Sequence, residues 1–326
     1  MLNKCVDYTN ILSYNNCEIK IKCKKGSEKL DIIKNIKPLF DVHLRDTCIC
    51  TGADNMYYLT GSIGEDIWSH NDGIQLWRSK DLKHWEDMGL VWSFEKDATW
   101  QKEWRIHHGK PIRSIWAPEI HYIKNNYYIT YSTPPSGTGI LKSATGLAEG
   151  PYINALAEDK PLTEDIDASL FCDDDGNVYF IYSGGNIAKM TENIDALEEE
   201  PRRLLCNEKD DNPLHHGAKK YFGHDEVGYE GAAMFKRNGK YYLSCADTYE
   251  GRYSSMAAWS DNIYGPYYNR HEAIKCGGHN NYFKAFDGQW YGTMFGNDKY
   301  APFIEKPAIV KIRFNENGLI EVEETQ

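Results

Sequence analysis

Five short segments share one pattern of apolar and polar positions. They are Met56-Tyr-Tyr-Leu-Thr-Gly-Ser62, Asn126-Tyr-Tyr-Ile-Thr-Tyr-Ser132, Asn177-Val-Tyr-Phe-Ile-Tyr-Ser183, Lys240-Tyr-Tyr-Leu-Ser-Cys-Ala246 and Gln289-Trp-Tyr-Gly-Thr-Met-Phe295. Each is aromatic and β-branched, which suits a pleated, half-buried strand. Each follows turn residues (Ala53-Asp-Asn55, Lys124-Asn-Asn126, Asp173-Asp-Asp-Gly176, Arg237-Asn-Gly239, Asp287-Gly288) and, across that turn, another apolar run. The pattern predicts five hairpins. The anchors Tyr57, Tyr127, Val178, Tyr241 and Trp290 recur about every 58 residues. A second echo follows the first four: Ser79-Lys-Asp-Leu82, Ser143-Ala-Thr-Gly-Leu147, Thr191-Glu-Asn-Ile194 and Ser260-Asp-Asn-Ile263. A hairpin plus outer strands, repeated radially, is a propeller blade, and closing five blades into a ring removes most sheet edges. A solenoid would need helical or tightly regular short repeats, which the chain lacks. The expected fold is therefore all-β, a five-bladed β-propeller over 38–326. Residues 1–37 precede it as an outer strand, a small cap or an arm. Short helices are expected at Ser27–Asn35 and Asp97–Trp104, and the run Ala308–Phe314 is expected as the last outer strand.

The residue eleven positions before each anchor is Asp46, Trp116, Asp167, Glu230 and His279. A constant offset predicts one structural level, and the first strand of each blade lines the central channel. Three acids, a histidine and a tryptophan are thus expected around one mouth of the axis. Carboxylates gathered together repel and resist desolvation, so such a ring calls for a reason beyond strands that begin with polar residues. Hydrolysis of a glycosidic bond uses this equipment. One acid protonates the leaving oxygen, one base activates water or attacks the sugar, and a third carboxylate raises the pKa of the acid.

Charge narrows the alternatives. The 326 residues carry 37 Lys+Arg and 48 Asp+Glu, a net charge of −11, and the one short basic run is Lys20 to Lys29. An acidic surface repels phosphate backbones, so nucleic acid is not an expected partner. No stretch is long and apolar enough to span a membrane as a helix. The N-terminus shows no apolar leader core. Nine cysteines, an odd number without a CxxC pair, fit a reducing compartment. The expected compartment is the cytoplasm, or the exterior for a chain trimmed of a leader. Aromatics make up 13% of residues, which suits both a β fold and a sugar-binding surface.

Five stretches carry a resemblance to glycoside hydrolase family 43: Leu44-Arg-Asp-Thr-Cys-Ile49, Trp116-Ala-Pro-Glu-Ile-His121, Ile166-Asp-Ala-Ser-Leu-Phe171 with Asp173-Asp-Asp-Gly176, Tyr229-Glu-Gly231 with Lys236-Arg-Asn-Gly239, and Gly278-His279. Their order and spacing cover roughly residues 38–315. The resemblance implies a five-bladed propeller, in agreement with the repeat count. It also implies an inverting mechanism with Asp46 as general base, Glu230 as general acid and Asp167 as the residue that positions and tunes the acid. His279 resembles the family histidine near the axis that orders water or a calcium ion, so no cofactor is required and a channel calcium is the one metal implied. Thr47 and Ala168 stand where the family usually has proline, which marks a divergent branch. The implied substrates are pentose or furanoside oligosaccharides: α-L-arabinofuranosides first, β-D-xylosides next, then galactofuranosides. The family 32 hydrolases use an early Asn-Asp-Pro and a Glu-Cys pair that this chain lacks at the matching places, whereas the family 117 hydrolases of agar-derived sugars stay open.

Arg45, Trp68, Trp104, His107, Tyr229 and Tyr249 fall on expected mouth loops as sugar contacts, each as readily a packing residue. Trp77, Trp85, Trp92, Trp259 and Trp290 hold repeat positions and read as core, as do Cys48 and Cys50. Glu119, three residues past a channel position, reads as a supporting residue. Asp173-Asp-Asp-Gly176 lacks the alternating spacing of a calcium loop and reads as a turn. The His107-His108 and His215-His216 pairs would diverge in extended chain, against zinc. Two other functional classes compete: a catalytically inactive propeller that binds carbohydrate or protein, and a glycoside phosphorylase or transferase. The second would need clustered basic residues at the channel, where only Arg45 and Arg113 are in sight.

Overall fold

A computed structural model of the chain describes residues 31–207 and 225–323. Most of the expected extension 1–37, the Lys20–Lys29 run and the His215-His216 pair lie outside the described residues. Five four-stranded antiparallel sheets follow one another along the chain. Blade 1 is β1 (Leu44–Thr51), β2 (Tyr57–Ile63), β3 (Gly73–Ser79) and β4 (Trp85–Ser93). A separate hairpin, β5 (Arg105–His107) and β6 (Lys110–Ile112), stands between the first two blades. Blade 2 is β7 (Trp116–Ile123), β8 (Asn126–Ser132), β9 (Thr138–Ser143) and β10 (Tyr152–Asn154). Blade 3 is β11 (Ser169–Cys172), β12 (Val178–Tyr182), β13 (Asn186–Lys189) and β14 (Arg202–Arg203). Blade 4 is β15 (Glu230–Arg237), β16 (Lys240–Tyr249), β17 (Arg252–Ser260) and β18 (Tyr268–Ile274). Blade 5 is β19 (Tyr282–Lys284), β20 (Trp290–Met294), β21 (Ala308–Phe314) and β22 (Ile320–Val322). The fold is a five-bladed β-propeller, as the repeat predicts.

Three sequence expectations need correction. Ala308–Phe314 is the third strand of its blade, because Asn315–Leu319 folds into a turn that returns the short strand β22 outside it. Among the described residues helix is confined to α1 (Asp31–Lys34), which lies inside the expected Ser27–Asn35, whose first four residues are outside the described ones, and a single 3-10 turn at Trp100–Lys102. The Thr99 side chain does not cap the latter, so nothing extends it across Asp97–Trp104. The histidines of His107-His108 do not diverge: His108 has φ 48° in the β5–β6 turn, and the two rings lie 4.0 Å apart.

Apolar side chains fill the spaces between neighbouring blades. One cluster joins Tyr58, Ile74 and Trp92 of blade 1 to Ile120, Ile129 and Tyr131 of blade 2. Another joins Phe171 and Ile181 of blade 3 to Met234 and Leu243 of blade 4. Trp77 and Trp92 are buried, and Trp85, Trp259 and Trp290 are partly so, in agreement with their reading as core. Asp173 accepts hydrogen bonds from Lys236 Nζ (2.5 Å) and Tyr241 Oη (2.6 Å), so the acidic turn of blade 3 grips blade 4.

First and last blades each supply all four of their own strands, so no shared sheet closes the ring. Closure rests on side chains and on two backbone bonds outside the sheets, Leu39 N to Pro307 O (2.7 Å) and Leu44 N to Glu305 O (2.9 Å). Asn281 accepts from Ile49 N (3.0 Å) and donates to Ile49 O (2.9 Å), while Thr293 Oγ1 donates to Thr47 O (2.6 Å). Around them Leu44, Ile49, Tyr57 and Leu59 pack on Phe283 and Ala285.

The inner hairpins explain what the constant sequence offset means in three dimensions. In blades 1, 2 and 4 the register shifts just after Arg45↔Ser62, Trp116↔Ser132 and Glu230↔Ala246. At this bulge in blades 1, 2 and 4, and just ahead of the first strand in blades 3 and 5, Asp46, Ala117, Asp167, Gly231 and His279 take positive φ (52°, 44°, 60°, 61° and 51°). Thus the offset finds the positive-φ residue in blades 1, 3 and 5, but the residue before it in blades 2 and 4. Turn length is the cause. Blades 2 and 4 turn through two residues, Lys124-Asn125 and Asn238-Gly239, all with positive φ as a type I′ turn requires. The other three turns hold one residue more, between Gly52 and Met56, Asp173 and Asn177, and Ala285 and Gln289. All five residues sit at the same end of the propeller, at two adjacent positions of one bulge rather than one.

Candidate active site

The bulge fixes each side chain by local means. Left-handed backbone at a residue other than glycine costs on the order of 1–3 kcal/mol and persists where the surroundings enforce it. Ser62, on the second strand of blade 1, does so across the seam. Its hydroxyl accepts from Ala117 N of blade 2 (2.8 Å) and donates to Asp46 Oδ2 (2.7 Å). One blade on, Ser132 Oγ accepts from Asp167 N (2.7 Å). Gly231 N donates to Asp167 Oδ2 (3.0 Å), linking blades 3 and 4. A β-carbon on Gly231 would lie 2.7 Å from His279 Cγ, so glycine here lets the histidine ring close over the blade 4 bulge.

His279 Nδ1 lies 3.3 Å from Asp46 Oδ1 and 3.8 Å from Asp167 Oδ2. The three side chains are nearly buried. Glu230 Oε1 accepts from Tyr253 Oη (2.7 Å). Burial and the Asp46 charge push the Asp167 carboxyl up to about 8, against the Gly231 hydrogen bond that holds it down. Burial and Asp167 push the Glu230 carboxyl up to about 7, opposed by the Tyr253 hydrogen bond and His279. Protons held near neutrality belong to this coupled pair rather than to one member.

Two contributors lay outside the offset rule. Tyr253 comes from β17, a third strand that the hairpin repeat does not mark. Glu119, on the channel-lining strand β7, is 6% exposed. Burial pushes its carboxyl up to about 7, with His279, Asp167 and Asp46 close enough to act on it.

A wall of rings extends outward from the acids. Arg45 Nη1 donates to Asn297 Oδ1 (2.9 Å) and Glu305 Oε1 (2.8 Å), and its guanidinium lies 4.5 Å from the Trp68 ring and 5.0 Å from Phe295. Trp68 is half exposed and meets Trp116 edge-on at 5.9 Å, and His107 meets Trp116 at 6.2 Å. Trp116 Nε1 donates to Ile67 O (3.0 Å). Trp104 stands farther along the rim, stacked on His70. Two expected sugar contacts are placed elsewhere. Tyr229 is buried against Ala246, Tyr253 and Phe295, behind the acids. Tyr249 packs on the apolar cluster between blades 3 and 4. The calcium implied by the resemblance would be reached from His279 through water; His279 turns its Nδ1 to Asp46, and among the described residues no three His, Cys, Asp or Glu side chains are grouped to hold a metal directly.

The sequence pattern of glycosyl hydrolases family 43 matches residues 36–320. The chain belongs to this family. Among curated relatives, the Beta-D-galactofuranosidase xynD of Aspergillus niger is 32% identical over 188 residues, covering 55% of this chain and 45% of its own. A Xylosidase/arabinosidase of Butyrivibrio fibrisolvens is 27% identical over 218 residues, covering 64% of this chain and 38% of its own. The chain thus spans less than half the length of these relatives. Among solved structures, an endo-1,4-beta-xylanase of Bacteroides thetaiotaomicron superposes with a TM-score of 0.66 at 23% identity, covering 89% of this chain and 97% of that one. An alpha-L-arabinofuranosidase of Clostridium thermocellum superposes with a TM-score of 0.65 at 20% identity, covering 86% and 94%. At such identity these structures speak for the family 43 fold.

Proposed function

We propose that this family 43 chain hydrolyses glycosidic bonds of pentose or furanoside oligosaccharides with inversion of configuration. The observation that carries the reading is the convergence of acids from blades 1, 3 and 4 beside His279 at one mouth, with Glu230 and Asp167 pushed towards neutral pH. Asp46 takes a proton from a water whose oxygen attacks the anomeric carbon. Glu230 gives its proton to the departing oxygen as the carbon–oxygen bond breaks. Repulsion between the Asp167 and Glu230 carboxylates keeps a proton on the pair near neutral pH, available to Glu230. His279, between Asp46 and Asp167, orients both carboxylates. Inverting pairs stand roughly 6.5–9.5 Å apart to admit the water. The names of the relatives, xylosidase/arabinosidase and galactofuranosidase, support the same sugar classes as the sequence resemblance.

The test is hydrolysis of aryl α-L-arabinofuranoside, β-D-xyloside and β-D-galactofuranoside by the wild type and Glu230→Gln. The variant keeps its shape but has no proton to give. It should lose roughly 10²–10⁴-fold on natural oligosaccharides and far less on aryl glycosides with good leaving groups. Equal losses on both, or none on either, would remove Glu230 from the acid role.

A further inference from the structure

Residues 100–113, which hold the hairpin β5–β6, invert the charge of the chain. They carry Lys102, Arg105, Lys110 and Arg113 against the single acid Glu103, in a protein of net charge −11. The segment stands beside the mouth. Arg113 bridges in backbone to His70 and Ser69, on the loop that also carries Trp68 and accepts the Trp116 indole hydrogen bond at Ile67.

Arg113 is held as a plane. Its guanidinium carbon is 4.7 Å from the Trp104 ring and 5.1 Å from Phe94, and Trp104 also stacks on His70 with 9° between planes. Ring contacts satisfy the faces of a guanidinium, but its five donors lie in the plane. Among the described residues none of them meets an acceptor: Arg113 has no side-chain hydrogen bond or ion pair, and its Nε is buried without a partner. Arg105 also lacks an ion pair among the described residues, and its guanidinium faces Trp100 at 5.8 Å. Both line one shallow cleft with Gln101, Glu103, Ser114 and Thr133. At its border Trp104 keeps 49% of its surface exposed. Elsewhere Arg45, Arg78, Arg202, Arg252 and Arg313 pair with glutamates, whereas Arg237 lies over Phe314 at 4.1 Å without an ion pair among the described residues, far from the mouth hairpin in sequence.

We propose that this hairpin forms a distal subsite for an acidic sugar unit, a uronate, on the oligosaccharide whose bond is cut at the mouth. Arg113 receives the carboxylate in plane, Arg105 adds a second cation, and Trp104 offers its open surface to the sugar ring. The subsite rests on the glycosidase reading, and deepens it by naming an anionic branch as part of the substrate.

The experiment compares an arabinose-substituted xylotetraose with the same oligosaccharide bearing one glucuronic acid branch, on the wild type, Arg113→Gln and Arg113→Lys. The wild type should turn over the acidic oligosaccharide with at least tenfold higher kcat/KM, through KM, and the advantage should fall with salt. Arg113→Gln should abolish the advantage while leaving the neutral oligosaccharide unaffected, and Arg113→Lys should restore part of it. Equal turnover of both oligosaccharides by the wild type would overturn the proposal, as would an equal loss on both in Arg113→Gln. Calorimetric binding of the two oligosaccharides to the same proteins separates this claim from the catalytic one. Tighter binding of the acidic form that depends on Arg113 supports the subsite even where no hydrolysis is seen, and its absence overturns the subsite even where hydrolysis is strong.

Discussion

At the scale of single residues, the site is a problem in keeping carboxyl groups protonated without losing their positions. Glu230 is buried next to Asp167, which favours its neutral form, and Tyr253 donates to it, which favours the ionised form. Replacing Tyr253 with phenylalanine removes only the second influence. An acid that must be protonated loses activity as pH rises through its pKa, so the alkaline limb of kcat/KM reports the pair. In Tyr253→Phe that limb should move to higher pH by about half to one unit, because a hydrogen bond worth about 1 kcal/mol to one protonation state shifts a pKa by about 0.7 unit. Activity on the acid side should be retained. An unmoved limb, or one displaced downward, would separate Tyr253 from the titrating acid. Asp46, Asp167, Glu230 and His279 were legible because each stands eleven residues before a repeat anchor. Tyr253 was not, because a third strand carries no mark that relates it to the bulge, and Glu119 was legible only as a supporting residue. Tyr229 misled for the opposite reason: it precedes Glu230 in sequence, but the chain turns it inward behind the acids.

At the scale of elements, turn length governs where a side chain lands. The two-residue turns of blades 2 and 4 could be read from Asn-Gly in one case, but Lys124-Asn125 gives a weaker signal. A count from the anchors absorbed the missing residue and so merged two positions of the bulge into one. The outer strands were the least legible elements, since β14 and β22 have only two and three residues and little apolar pattern. Ring closure depends on an element pair with no sheet between them. Asn281 supplies both the acceptor and the donor that Ile49 would otherwise lack. Asn281→Ala leaves a backbone N–H and C=O unpaired at the blade 5–blade 1 seam. It should lower stability by about 2–4 kcal/mol in urea unfolding, one to three for each orphaned group discounted for water entry. A cost below about 0.5 kcal/mol would mean that apolar packing at Phe283 and Ala285 closes the ring unaided.

At the scale of the molecule, fivefold repetition explains why acids distant in sequence meet. Each blade presents the start of its innermost strand to the same mouth, and inner strands of neighbouring blades touch around the axis. Five similar hairpins made the architecture legible without any relative, whereas nothing in the repeat distinguishes one sugar from another. That choice falls to the irregular parts between blades, such as β5–β6, whose sequence has no counterpart in the other repeats. The chain also spans less than half of the curated relatives it first matches. What the propeller itself does is tested most directly by the configuration of the first product. Proton magnetic resonance of an α-L-arabinofuranoside, recorded in the first minutes of hydrolysis and before mutarotation, should show β-arabinofuranose, as direct attack by water activated at Asp46 requires. First appearance of the α-anomer would contradict the account, since it would make an enzyme carboxylate the nucleophile.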